Sequence, residues 1–553
     1  MVYDRLTGVE RQALIDKEGC LSWRVDLPPC QAACPLGIDV EGYVAAISQG
    51  NFGRALEIIR ERCPLPGICG YVCHHPCEAE CKRGTIDEPI AIRDLKRFVA
   101  DYENGEKFSP KAIEKTRPEK IAIIGSGPAG LTAAYGLAKY GYQVTIYEAL
   151  PIAGGMLAAG IPEFDLPQQV VQKEISYIRA LGIEIKTNSP VKGDEAITDL
   201  LKQGYEAVVL AIGAWKSMQL PRFEAKLEGV IYALPFLQKV KLGEKCSLQG
   251  KGVIIGGGNV AIDAARTALR LGAKEVHLVC IESRENMPAF EWVIRLAITE
   301  GVNIHTSLFP QELHSKDGRK ISRLDLRRVA YSELDDDGRL TWTLDEGLNS
   351  ESSMELDWMI IAIGQKVDLS VIGNTGQFCV SQKGTIAVDP DTLTTSVAGI
   401  FAAGDIVNIR GTIVEAMAAG WKASDSVHRY LQGQDLRQGP ATVPKSAVTG
   451  ADMLPLGIAT AERQQTSLLP PMESIQNFKK VELTFSKEQA VQEAMRCLRC
   501  KTCGRCIEST NCIALFFTQN ASQVSPCVDS NLCAGCGRCA RSCPYNGIHL
   551  VAI

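Results

Sequence analysis

The sequence predicts a multidomain α/β protein, with two doubly wound parallel-sheet domains set between cysteine-rich ends. Two observations lead there. Twice, an apolar run passes through a glycine turn into an amphipathic helix and a second strand: KIAIIGSGPAGLTAAYGLAKYGYQVTIYE over 120–148, and GVIIGGGNVAIDAARTALRLGAKEVHLVC over 252–280. Of the 21 cysteines, eight lie from Cys20 to Cys81 and ten from Cys497 to Cys543.

A chain of 553 residues holds about three or four domains. Its 46% hydrophobic and 22% charged content is that of a soluble globular protein. A net charge of −5 gives no reason to expect a nucleic acid or anionic membrane partner. There is no apolar run long enough to span a bilayer, and MVYDRLTGVERQ lacks a signal core, so a cytoplasmic location is expected. In that compartment clustered cysteines point to metal rather than disulfides.

In the N-terminal region, expected over 1–110, the spacing is Cys30-x3-Cys34-Pro, then Cys69-x3-Cys73-x3-Cys77-x3-Cys81. Glu41 to Arg62 reads as helical between them. Thiolates so spaced converge from turns and short helices, and suit an iron–sulfur cluster, or zinc as the plainer alternative. His74 and His75 sit inside the run, as donors to sulfur or as exposed turn residues.

In the first glycine turn, Gly125 permits the tight bend and Gly127 lets backbone N–H groups approach a pyrophosphate. Gly130 lets helix and strand pack, and Pro128 and Ala129 open a helix whose N-terminus favours phosphate. Glu148 ends the second strand, where a carboxylate can accept from a ribose. Residues 104–119 read as a linker.

The second turn repeats the logic with Gly256, Gly258, Asn259, Val260 and Ala261. Its second strand runs into Cys280-Ile281-Glu282, then Ser283-Arg284. A glutamate there repels a 2′-phosphate and accepts from a free ribose hydroxyl, so NADH is expected. Arg284 leaves NADPH open. Ala207–Ala214 and Trp358–Gly364 are matching buried strands ending at Gly213 and Gly364. No Ser–His–Asp or paired-carboxylate pattern is present, so no catalytic acid or base is expected.

Residues 431–489 read as an extended connector, and Glu488–Arg496 as a short helix. Then come Cys500-x2-Cys503-x2-Cys506-x5-Cys512 and Cys533-x2-Cys536-x2-Cys539-x3-Cys543-Pro. The second is the bacterial ferredoxin run, in which the fourth cysteine serves the other cluster. Cys500, Cys503, Cys506 and Cys543 are therefore assigned to one [4Fe–4S] cluster, and Cys533, Cys536, Cys539 and Cys512 to another. Cys497 and Cys527 are spare, and either can replace a ligand.

PCQAACPLGIDV, CGYVCHHPCEAEC, GSGPAG and GGGNVAIDAARTALRLGA together resemble the glutamate synthase small-subunit family. Dihydropyrimidine dehydrogenase and the large subunit of NADH-dependent ferredoxin:NADP oxidoreductase share this module. The resemblance covers about residues 20 to 430. It implies a helical N-terminal iron–sulfur domain and two Rossmann-like domains, one for FAD (117–250 and 370–430) and one for NAD(P)H inserted in it (251–369). An α+β ferredoxin-like domain (490–553) is appended.

Cys30, Cys34, Cys73, Cys77 and Cys81 match family ligands of one or two [4Fe–4S] clusters, and the altered spacing can recruit Cys69. The family's upstream Cys-x2-Cys pair is reduced here to Cys20-Leu-Ser-Trp23. Around the flavin the resemblance places Gly154, Gly155, Met156, Gly404 and Asp405, the last facing the ribityl chain or else capping a helix. Family members usually carry Arg where this chain has Asp165. The implied activity is electron transfer between NADH and ferredoxin or a partner enzyme through FAD and clusters. The expected partners are soluble ferredoxin, a 2-oxoacid:ferredoxin oxidoreductase, or a molybdenum- or tungsten-dependent dehydrogenase. The alternatives are a glutamate synthase small subunit using NADPH and a non-catalytic wiring subunit.

Overall fold

The computed structural model describes residues 28–102, 110–437 and 460–499, with short breaks at 194, 221–222, 224–226, 335–339, 348–350, 374 and 410. Beyond these it describes the backbone of a few short strands, and Leu532 and Cys536. The chain forms two compact units: Met1–Ser109 with Gln434–Ser467 and Thr484–Ile553, and Pro110–Gly433 with Leu468–Leu483.

The first unit is helical: α1 (Pro29–Ala33), α2 (Val40–Ser48), α3 (Phe52–Arg60), α4 (Pro66–Val72), α5 (Pro76–Ala79) and α6 (Ile92–Tyr102). The single helix expected over 41–62 is two. Gly50 takes φ +73° and breaks it, and Asn51 caps the second part by accepting from Arg54 N at 3.2 Å. α4 and α5 each begin on a proline, which suits a first turn that needs no N–H donor. Cys69, Cys73 and Cys77 of the evenly spaced run are buried in this unit, as are Ile38, Tyr43, Ile47 and Ile68. The helix Lys487–Met495 belongs to this unit and starts on a Ser486–Gln489 capping box. In the C-terminal cysteine region an antiparallel hairpin joins Leu515–Asn520 to Gln523–Val528.

The second unit holds two parallel five-stranded sheets. In the first, β1 (Lys120–Ile124), β2 (Gln143–Tyr147), β3 (Glu184–Lys186), β4 (Tyr205–Leu210) and the late strand Ile400–Ala402 are ordered Ile400–Ala402, β4, β1, β2, β3. In the second, β5 (Val230–Tyr232), β6 (Lys251–Ile255), β7 (Glu275–Val279), β8 (Asn303–His305) and Trp358–Ile361 are ordered β5, Trp358–Ile361, β6, β7, β8. Central strands are apolar because both faces are covered. In the second sheet Ile254, Leu278 and Ile360 pack with residues of the helices 259–270 and 291–300, and Val253, Ile255 and Met359 pack with Ile321, Leu324 and Leu326. The helices used below are α7 (Pro128–Lys139), α8 (Met156–Ala159), α9 (Asn259–Arg270), α10 (Glu291–Glu300) and α11 (Ile413–Leu431).

Three features differ from expectation. The second sheet begins at Val230, ahead of the boundary expected at 251, because β5 pairs with Trp358–Ile361. A four-stranded antiparallel sheet around Ile321–Leu334 lies between β8 and Trp358 in the chain. Its signal is a period of two, with Leu324 and Leu326 buried and Arg323, Asp325 and Arg327 facing outward. The connector expected over 431–489 is not uniformly extended. Its segment 468–483 packs on the second unit, where Val481 N donates to Phe164 O at 3.1 Å and the Phe478 ring lies 6.2 Å from Phe164.

A buried ionic cluster ties the loop 163–167 to α9 and α10. Arg266, with no side-chain exposure, donates to both oxygens of Asp165 at 2.8 Å and to Glu300 at 3.0 Å. Arg270 holds Glu300 at 2.7 and 2.8 Å. Both guanidiniums lie over the Phe164 ring, at 4.6 and 3.8 Å. Burial pushes the Glu300 carboxyl up, but the hydrogen bonds and charges of Arg270 and Arg266 prevail and hold it at about 2. Removing one partner of such a cluster strands the others in low dielectric. Arg266→Ala is therefore expected to cost about 3–5 kcal/mol in urea unfolding, with little recovery in Arg266→Lys, which lacks the bidentate fork.

Candidate functional site

The two glycine turns are built alike. Gly125 N donates to Tyr147 O and Gly256 N to Val279 O, each at 2.8 Å. Gly125 has φ +103° and Gly256 φ +132°, and a Cβ on either would stand 2.4 Å from a carbonyl, of Ala211 and Ala362 respectively. Only glycine fits there. At Gly127 and Gly258 the opposite holds: no atom lies within 4 Å of where a Cβ would point. Each is the N-cap of its helix, α7 or α9, with no side chain capping it. The free N–H groups that follow are those of Ala129 and Gly130 in the first and of Asn259 and Val260 in the second, since Pro128 has no N–H and Ala261 N donates to Gly258 O at 3.0 Å. Each turn thus offers open space in front of unsatisfied donors, which suits a pyrophosphate.

Glu148 lies beside the first turn, and its carboxylate is engaged. It accepts from Ser126 N at 3.0 Å, from Ser126 Oγ at 2.5 Å and from Leu150 N at 2.8 Å. Ser126 Oγ in turn accepts from Gly154 N at 2.8 Å. Ser126, which the sequence reading passed over, therefore braces the turn against the 154–155 loop. Gly154 and Gly155 both take positive φ, and a Cβ on Gly155 would be 2.9 Å from Gly127 Cα. Met156 then starts α8.

Asp405 follows Gly404 and does not cap a helix. The cap of α11 is Thr412, in a capping box with Glu415. Among the described residues no hydrogen bond reaches the Asp405 carboxylate, and burial pushes it up to about 7. An orphaned acceptor in this position suits a hydroxyl-bearing ligand.

At the second turn, Glu282 Oε2 lies 3.0 Å from where a Cβ on Gly257 would stand, and burial raises its carboxyl. Arg284 is held by Glu291 at 2.9 Å. Gly213 and Gly364 flank the two crossovers between the sheets, which pair antiparallel through Ser217 and Gln365.

In the first unit Cys34, Cys69, Cys73 and Cys77 are buried. Burial, and next the Cys69 charge, push Cys73 up to about 12, and burial pushes Cys77 up as well, while Lys96 acts in the opposite sense on both. The buried Lys96 ammonium thus favours thiolates, as a bound iron–sulfur cluster requires. It lies on the apolar side of α6, between Ile92 and Val99, a spacing that was its signal in the sequence. His75 donates its backbone N–H to Cys73 Sγ at 3.4 Å, and its ring Nδ1 lies 3.1 Å from Cys73 O. Cys63 Sγ lies 3.7 Å from Cys69 Sγ. Cys30 and Cys81 line a common cavity. Of the C-terminal candidates, Cys536 is exposed. Cys500, Cys503, Cys506, Cys512, Cys533, Cys539 and Cys543 lie outside the described residues.

Residues 119–420 match the family model described as pyridine nucleotide-disulphide oxidoreductase. The chain belongs to the pyridine nucleotide-disulphide oxidoreductase family. Residues 5–108 match the dihydropyrimidine dehydrogenase domain II, 4Fe-4S cluster model. The chain is 41% identical to the NADP(+)-dependent formate dehydrogenase subunit beta of Moorella thermoacetica, over 86% of this chain and 71% of that one. It is 34% identical to the NADPH-Fe(3+) oxidoreductase subunit beta of Geobacter sulfurreducens, over 85% and 75%. It is also 34% identical to the NAD-dependent dihydropyrimidine dehydrogenase subunit PreT of Escherichia coli, over 78% and 97%. This member of the family is an NAD(P)H-dependent FAD and iron–sulfur oxidoreductase that transfers electrons. No helix among its described residues is long and apolar enough to cross a membrane.

Because Asp405 titrates higher folded than unfolded, the folded state binds the extra proton. From this group, stability of the flavin-free protein falls as pH rises from about 4 to 7 and levels off above. Asp405→Asn is expected to abolish that slope in denaturant titrations at pH 5, 6, 7 and 8.

Proposed function

We propose that this chain is the NADH-oxidising flavin subunit of a larger redox complex, passing electrons to a partner through iron–sulfur clusters. The observation that carries the nicotinamide choice is at the second turn. Glu282 is set against the glycines where a 2′-phosphate would approach, and Arg284 is tied to Glu291. The relatives' names include both NADP-linked and NAD-linked proteins, so the reading rests on the local residues.

In this reading FAD is held at the first turn by Gly125, Gly127, Pro128, Ala129 and Gly130, with Glu148, Gly154, Gly155, Met156 and Gly404 around it. Asp405 accepts from a ribityl hydroxyl. Bound flavin supplies the exchange between hydride and single electrons that nicotinamide lacks. The nicotinamide nucleotide is held by Gly256, Gly258, Asn259, Val260 and Ala261, and Glu282 accepts from its ribose. The FAD domain spans 117–229 and 370–430, and the inserted domain 230–369. The C-terminal cysteines hold two further [4Fe–4S] clusters in a ferredoxin-like domain, assigned as their spacing indicates. The formate dehydrogenase relative favours a dehydrogenase partner over soluble ferredoxin.

Anaerobic reduction of the purified protein by NADH and NADPH, followed at the flavin band, tests the reading. NADH is expected to have at least about tenfold higher kcat/KM, and Glu282→Ala to narrow the gap; faster reduction by NADPH overturns the choice. Gly127 and Gly258 separate the two sites, because a methyl there meets no protein atom. Gly127→Ala is expected to fold normally but to bind FAD at least about tenfold more weakly. Gly258→Ala is expected to keep its FAD and raise KM for NADH by a similar factor. Each change corresponds to about 1.4 kcal/mol.

A further inference from the structure

We propose that Cys497 joins Cys30 and Cys81 as a ligand of an iron–sulfur cluster in the N-terminal unit. The C-terminal part of the chain would then complete a site begun at the other end of the sequence. This rests on the reading that the N-terminal cysteines hold clusters.

Three thiols line one cavity, together with Glu41, Lys82 and Arg83: Cys30 from the first turn of α1, Cys81 from the end of the cysteine run, and Cys497. All three are partly exposed, unlike the fully buried Cys63 and Cys69, so the core has not absorbed them as apolar side chains. None of the described cysteines is in a disulfide. A cubane takes four ligands, most often thiolates, and three soft donors at one cavity beside two cationic side chains match that need. Each thiol would enter as thiolate, its proton released to solvent.

Cys497 is held there by its neighbours. Arg83, two residues past Cys81, donates to the carbonyl of Arg496 at 3.4 Å, across 413 residues of sequence. Asp87 bridges the two arginines, accepting from Arg83 Nε at 2.8 Å and from Arg496 Nη2 at 2.9 Å. Arg496 also donates to Ala461 O at 3.1 Å, to Glu88 O at 2.7 Å and to Glu493 Oε1 at 2.7 Å. Glu493 is wholly buried and accepts from Ala91 N and Gln464 N, both at 2.8 Å. Such a seam of charge-assisted bonds is expensive to bury unless every member is paired, and here the partners are supplied. It fixes the backbone immediately before Cys497 against the loop that carries Cys81.

The spacing Cys497-x2-Cys500 also fits a ligand of a C-terminal cluster, and the test separates the two. Full-length wild type, Cys30→Ser, Cys497→Ser and the double variant are purified without oxygen. Iron and sulfide are counted per FAD, and the dithionite-reduced electron paramagnetic resonance spectrum is recorded. Each single variant is expected to lose the same signal and about four irons, and the double variant no more than either. A double variant that loses twice as much places Cys497 in a C-terminal cluster and overturns the proposal, as does a Cys497→Ser protein with unchanged iron. Retained FAD reports folding. If Cys497→Ser loses its flavin, alkylation of the wild type decides instead. Cys30, Cys81 and Cys497 should all resist iodoacetamide until iron is chelated and then become labelled in the same phase; labelling of Cys497 in the iron-replete protein, or in a phase separate from Cys30, overturns the proposal. Wild type devoid of iron overturns the proposed function as well.

Discussion

One buried guanidinium organises the second unit. Arg266 cannot be left unpaired out of water, and its two carboxylates come from different parts of the chain: Asp165 before the second sheet begins, Glu300 at the end of α10. Satisfying all three at once fixes the loop 163–167 against α9. Phe164, under both arginines, then offers its carbonyl to Val481, and Ser474 Oγ reaches Glu300 at 3.3 Å. The segment 468–483 is thus held by the charge cluster it covers. The role of Asp165 is in this pairing.

The two nucleotide turns show the same economy of means. Each uses one glycine because a carbonyl leaves no room and another because nothing does. The first kind of constraint belongs to the fold, and the second leaves open space at the start of the helix.

What could be read in the sequence was local. Strand, glycine turn and helix follow one another within thirty residues, so both turns and their acidic followers Glu148 and Glu282 were legible. The N-terminal cysteine run was legible for the same reason. What escaped was made by distant partners. β5 joins the second sheet only because Trp358–Ile361 arrives beside it, a pairing of residues far apart in the chain. Ser126 looks like loop filler until Gly154 folds over it. Lys96 sits among apolar helix residues, and its meaning depends on thiols carried by other helices. The role of Arg496 depends on Asp87, and no local pattern links them.

Arg496 has a consequence for what lies beyond it. Three peptide steps separate Cys497 from Cys500, so their Cα atoms lie within about 11 Å of each other whatever fold follows. The cysteine-rich tail therefore starts from a moored point. Its nearest thiol is leashed to the N-terminal unit by covalent bonds, and that proximity needs no encounter between separate surfaces.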